Sequence, residues 1–224
     1  MLKVSTDRMR AERDVELAQH VTAHGGPALP PAGPVQHDAG FSVSLWPFCP
    51  SEPQPESGPE AGRALAAVHE ALRDEAPRLP PLRERFDDVR GVLADHAAVA
   101  AISAQDRRVL QDAVQLVVPA TEGSVALHTE PHDRNRLTWK GAVVYIDFEA
   151  ACTGPLEWDL AYLADEVAAA VWPEHDRALR RVLQLGVSTC VAAACWRHVT
   201  AHPSNADMRW HAEHHLSLVR QSLR

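Results

Sequence analysis

Lysine is nearly absent from this sequence. Lys3 and Lys140 are the two copies, within a combined Lys and Arg count of 22. Each lysine is therefore easy to weigh as a functional residue. Asp and Glu together number 30, which sets the net charge at −8. That sign argues against a nucleic-acid binder, whose electrostatic footprint would be a basic stripe. An acidic chain still accepts a phosphate ligand when a metal ion supplies the local positive charge. The four cysteines, Cys49, Cys152, Cys190 and Cys195, form no CxxC pair. No disulfide framework is indicated, and a reducing compartment is the default. The segment MLKVSTDRMRAERD lacks the apolar core of a signal peptide. No apolar run reaches the length of a membrane span. These absences lead to the expectation of a cytoplasmic protein with neither a membrane nor a nucleic-acid partner. Internal repeats and an HExxH motif are also missing.

What is present is core-forming material. Hydrophobic residues make up 46% of 224 positions, enough for one large domain or two small lobes. MLKVS reads as the end of a strand. Residues 8–24 read as a helix, with Val15, Leu17, Ala18 and Val21 on one face and a stop at Gly25-Gly26-Pro27. A proline-rich connector, PALPPAGPV, leads to GFSVSLWPF, an alternating strand. CPSEPQPESGP is a loop and the best boundary between two lobes. Beyond it the chain turns helical, at 60–76, 80–100 and 103–118, the last with Ser103 as N-cap and Asp106 three residues on. A further helical stretch covers 157–172, then a long apolar helix and a terminal helix.

Between these helices lies VALHTEPHDRNRLTWKGAVVYIDFEAACTGPLEWDLAYL, which concentrates polar chemistry. Pro131 forbids regular helix in HTEPHDRN. LTWKGAVVYIDF reads as strand, turn at Lys140-Gly141, strand. Pairing of the two strands brings Asn135 and Asp147 together. An amide oxygen beside a carboxylate is a hard-oxygen pair suited to Mg²⁺. Glu130, on the same loop, is placed to act as general base or to orient a hydroxyl. That is how phosphoryl transfer is commonly built. The plainer reading is a polar loop beside a hairpin, with Asp147 as a helix cap.

HTEPHDRNRL followed by VVYIDFEAACTGPLEWDLA resembles the catalytic segment of the aminoglycoside phosphotransferase family. Its pattern is roughly H-G-D-x-H-x-x-N, then D-[FW], then G-x-x-x-x-D-L-A. His128, His132, Asn135, Asp147, Phe148, Gly154, Asp159, Leu160 and Ala161 match it in order and spacing. RDVELAQHV, SVSLWPF and EAGRALAAVHEAL are similar to the family's N-lobe helix, hinge strand and post-hinge helix. The resemblance implies an α+β, protein-kinase-like fold. A reduced N-terminal β lobe would span residues 1–50, and a mostly helical C-terminal lobe with a catalytic β-hairpin residues 51–224. It implies an ATP- and Mg²⁺-dependent transfer of the γ-phosphate to a hydroxyl of a small molecule, aminoglycoside-like or other. Glu130 stands where the catalytic acid stands, and Asn135 and Asp147 are the implied Mg²⁺ ligands. Lys3 would pair with phosphates and with Asp14, Glu12 being the other candidate. Trp46 and Phe48 fall in the adenine-contacting segment. His128, His132 and Asp159 support the loop.

The chain departs from that pattern in four places. Glu130 replaces an Asp, Thr129 a Gly, and Arg134 a small residue. Lys3 is almost the first residue, so either the start is assigned too far downstream or this is an N-terminally truncated member without two strands and a nucleotide-covering loop. The alternative function is therefore a non-catalytic binding or regulatory descendant that has lost nucleotide binding. A third reading is a metal hydrolase using the i, i+4 pairs His198/His202 and His211/His215. Trp172, Trp196 and Trp210 read as packing residues of helices.

Overall fold

The computed structural model describes residues 1–50 and 58–224. The lobe boundary expected within 49–59 falls mostly on 51–57, outside the described residues. In chain order the elements are β1 (Leu2–Ser5), α1 (Arg8–Ala23), β2 (Gln36–Asp38), β3 (Phe41–Leu45), α2 (Pro59–Leu72), α3 (Arg83–Ala94) and α4 (Ala104–Val117). There follow β4 (Val125–Leu127), β5 (Arg136–Trp139), β6 (Ala142–Tyr145), β7 (Cys152–Gly154), α5 (Glu157–Leu160), α6 (Asp165–Val171), α7 (Arg177–Ala201) and α8 (Ala206–Ser222). The fold is mixed α+β, mostly helical, with three small sheets among the described residues. The chain divides into two compact units, Met1–Pro80 with Ser124–His175, and Pro81–Gly123 with Asp176–Arg224.

Among the described residues, the first unit holds every strand. Its three-stranded sheet runs β1-β3-β2, antiparallel throughout, with Lys3 opposite Ser44. β2 has no apolar signal and was not foreseen. It exists because Ala39 and Gly40, both at positive φ, make a two-residue turn that folds it back on β3. The sheet inverts the usual alternation. Ser42 and Ser44 are buried, while Leu2, Val4, Phe41 and Leu45 are exposed. Lys3 shares the buried side with Ser44, the side of the polar cluster described below.

The core of this unit forms around α1 and α2. Val15, Leu17, Ala18 and Val21 of α1 pack with Leu65, Val68 and Leu72 of α2 and with Tyr145 and Phe148. α2 passes close to α6 at Gly62, where a Cβ would meet Val167 Cγ1 at 2.8 Å and Val171 Cγ2 at 2.9 Å. The expected hairpin forms as β5–β6, turned by Lys140 (φ 51°) and Gly141 (φ 82°). The strand pair β4–β7 was not foreseen, since three residues each are too few to show a period.

The second unit is helical. α3 buries Phe86, Val89 and Leu93, and α4 buries Leu110, Val114 and Val117. Ser103 Oγ accepts from Asp106 N at 3.1 Å, so the expected cap is present. α7 and α8 form an antiparallel hairpin entered through Asp176 and Asn205, whose side chains accept the N–H groups of the first turns. The expectation that no run is long enough to span a membrane needs correction. α7 has 25 residues and meets the length and composition of a span, with 56% of its most apolar window buried in the fold. Trp196 is buried and Trp172 packs against the core of the first unit, as packing residues do. Trp210 does not: it is 59% exposed and stacks on His214.

Candidate functional site

The site is assembled by two backbone devices in the first unit. One is the loop 128–135, which leaves β4 and enters β5. The other is the tight turn at Asp147, just after β6. Antiparallel pairing fixes them side by side, because Ile146 N donates to Asn135 O at 3.0 Å. His128 Nε2 lies 2.9 Å from Ile146 O, a second tie between loop and turn.

The loop is held from beneath by Asp159 in α5. This fully buried carboxylate accepts from His128 N, Thr129 N and His69 Nε2, each at 2.8 Å. It reaches the loop because Trp158 and Leu160 on either side are fully buried and pin the short helix. Trp158 Nε1 also donates to Thr129 O at 2.8 Å. Thr129 itself takes φ 80°, a left-handed conformation that strains a β-branched residue. The two hydrogen bonds to its backbone, from Thr129 N to Asp159 and from Trp158 Nε1 to Thr129 O, and the contact of its Oγ1 with Cys152 Sγ (3.1 Å) hold it there. Further along, Asn135 Nδ2 donates to Glu130 O at 3.1 Å and His132 N to the same oxygen at 2.9 Å.

His128 is fully buried and its ring makes one contact as acceptor, from Glu130 N at 3.4 Å, and one to a carbonyl. That pairing suits the neutral imidazole with its proton on Nε2. Burial pushes His128 and His132 below the usual imidazole value. His215 is pushed the same way, to about 4. In the unfolded chain these rings take up protons near the ordinary pKa of about 6.5. Their stabilisation is therefore fully present above that value and lost as pH falls below it, toward the depressed folded pKa. Urea unfolding should show a lower midpoint at pH 5.5 than at pH 7.5, and equal midpoints would contradict this.

The turn side of the site is a charge cluster. Lys3 Nζ lies 2.9 Å from Asp14 Oδ2, 2.5 Å from Asp147 Oδ1 and 2.7 Å from Glu149 Oε2. Glu12, the other candidate partner, is elsewhere, paired with Arg8 and His37. Asp14 is almost fully buried and its other oxygen accepts from Phe148 N at 2.8 Å. Burial pushes its carboxyl up, with the Lys3 ammonium opposing. The three carboxylates hold Lys3 protonated far above its ordinary value despite partial burial. Asp147 sits at φ 69° and makes no side-chain cap to the turn that follows, so the plain capping role is not the one it fills. Asp14, Asp147 and Glu149 each offer an oxygen within 4.8 Å of the others, a donor set that fits a hard divalent cation. Among the described residues, none of the helix histidines joins a three-ligand grouping of this kind.

The structure thus gathers Lys3, Asp14 and Asp147 at one point, and His128, Glu130, Asn135 and Asp159 around one loop. His132 is on that loop, with Nδ1 buried and its ring 6.2 Å from Tyr162. Trp46 and Phe48 join neither group. Trp46 is buried, its Nε1 donating to Ser44 Oγ at 2.8 Å, and Phe48 is 77% exposed. Two members were missed: Glu149, hidden in an unremarkable FEA, and His69, signalled by the VH of AAVHEAL.

Comparison with known proteins bears on the family and the fold. A profile of the phosphotransferase enzyme family (APH) matches residues 2–197. No curated protein matches the sequence closely enough to count as a relative. Among solved structures, a choline/ethanolamine kinase family protein from Mesorhizobium loti is 16% identical with a TM-score of 0.65, covering 100% of this chain and 82% of that one. An amicoumacin kinase in complex with AMP-PNP and Ca²⁺ is 10% identical with a TM-score of 0.70, covering 98% and 81%. The AMP-bound complex of a spectinomycin phosphotransferase is 13% identical with a TM-score of 0.69, covering 97% and 86%. The fold is kinase-like, and the chain belongs to the phosphotransferase enzyme family.

Proposed function

We propose that this protein transfers the γ-phosphoryl group of ATP, with Mg²⁺, to a hydroxyl of a small-molecule acceptor, aminoglycoside-like or other. The observation that carries the reading is the joint placement of Lys3, Asp14 and Asp147 beside a loop braced by Asp159. Solved structures of the same fold support it, since they were obtained with AMP-PNP, AMP or ADP and with acceptors such as hygromycin B and spectinomycin.

In this reading Lys3 binds phosphate oxygens, fixed by Asp14 of α1. Asn135 and Asp147 hold the metal, both being hard oxygen donors. Bound there, a divalent ion neutralises charge on the transferring phosphoryl group. Glu130 orients the acceptor hydroxyl and takes its proton as the oxygen attacks phosphorus and the bond to the leaving diphosphate breaks. His128, His132 and Asp159 position the loop. The test is transfer of label from γ-labelled ATP to a panel of aminoglycosides, amino alcohols and sugars. Label appearing in an acceptor supports the reading. Label in none, with no nucleotide bound, supports the non-catalytic descendant instead.

A further inference from the structure

We infer that Glu149 is a positioning residue that engages Lys3 in the nucleotide-free protein and makes nucleotide binding depend on a divalent cation. The inference rests on the reading of Lys3 as the phosphate-binding lysine. An ammonium has three donors. In this structure each faces a carboxylate, with Glu149 at 2.7 Å, closer than Asp14 at 2.9 Å. Glu149 is not placed there by a mobile side chain alone. Its backbone O accepts from Arg13 Nη1 at 3.3 Å, and its neighbour Phe148 N donates to Asp14. Helix α1 therefore anchors both the turn that carries Glu149 and the acid that pairs with Lys3.

The three carboxylates are not equivalent. Asp14 is buried, with a side chain 2% exposed, and is committed to Phe148 as well as Lys3. The side chains of Glu149 and Asp147 are 27% and 32% exposed. Those two are the partners that an incoming phosphate can reach and replace. One ammonium among three carboxylates leaves the cluster with excess negative charge. A nucleotide that arrives without a cation meets that charge and finds its lysine occupied. A divalent cation arriving with it draws Asp147 and Glu149 away and releases Lys3.

The experiment combines two readouts on wild type, Glu149→Gln and Glu149→Asp. The first is calorimetric titration with ADP, once in EDTA and once in excess Mg²⁺. Glu149→Gln should bind metal-free ADP about fivefold more tightly, the size of one partly exposed ion pair. The Mg²⁺ requirement should shrink accordingly, and Glu149→Asp should behave more like wild type. Unchanged or weaker binding of metal-free ADP by Glu149→Gln would overturn the inference. The second readout needs no nucleotide. Lys3 should be protected from an amine-reactive ester relative to Lys140, and Glu149→Gln should expose it. An unchanged Lys3 to Lys140 ratio also overturns the inference. If wild type fails to bind Mg-ADP at all, the functional reading fails, and the labelling ratio still decides the Lys3–Glu149 contact.

Discussion

Asp159→Ala is expected to destabilise the protein by about 3–5 kcal/mol, a large share of the stability of an ordinary domain. The expectation follows from what the carboxylate satisfies. Two backbone N–H groups, of His128 and Thr129, and the Nε2 of His69 all end on it inside the core. Alanine leaves each without a partner, and an unsatisfied buried polar group costs about 1–3 kcal/mol. The loop would lose its brace where Thr129 is held at φ 80°. Asp159→Asn keeps an acceptor oxygen and should cost about half as much. Urea unfolding measures both. A loss below about 1 kcal/mol for the alanine variant would show that the loop does not depend on Asp159.

Glu130→Gln carries the second large effect, on rate and not on stability. The substitution keeps size and shape and removes the charge that takes the hydroxyl proton. Turnover should fall about 10²–10⁴-fold, the usual worth of a positioned general base. Nucleotide affinity should stay within about twofold, because Lys3, Asp147 and Asn135 are untouched. Glu130→Asp retains the carboxylate but draws it back by about 1 Å, a displacement that can cost ~10²-fold. Single-turnover transfer from labelled ATP separates these outcomes. Wild-type turnover in Glu130→Gln would remove Glu130 from the chemistry.

How much of this was legible in the sequence depends on the range of the interactions. Helix α1 and its apolar face could be read because Val15, Leu17, Ala18 and Val21 repeat at helical spacing. The β5–β6 hairpin could be read because Lys140-Gly141 supplies the positive φ pair its turn needs. Ser103 could be read because a cap is a local contact. What was hidden is contact between distant segments without a periodic signal. β2 and β7 are three residues each. Glu149 joins Lys3 across the whole first unit, and nothing in its neighbours marks it. His69 meets Asp159 across 90 positions. Sequence spacing also left Lys3 with two candidate acids. Helix register decides between them, since Asp14 lies on the buried side of α1 and Glu12 faces Arg8 and His37. Trp46 illustrates the opposite error. Its position suits a ligand-facing ring, but the inverted sheet turns it into the core beside Ser44.

The most direct test of the central claim is a thermal-shift titration with Mg-ATP on wild type and Asp147→Asn. Binding to the folded state raises the melting temperature by mass action. Each kcal/mol should add about 2–4 °C in a chain of this size. We predict a saturating rise for wild type at millimolar Mg-ATP and a rise that is much smaller for Asp147→Asn. No shift in wild type at millimolar nucleotide would contradict the reading of this cluster as a phosphotransferase site.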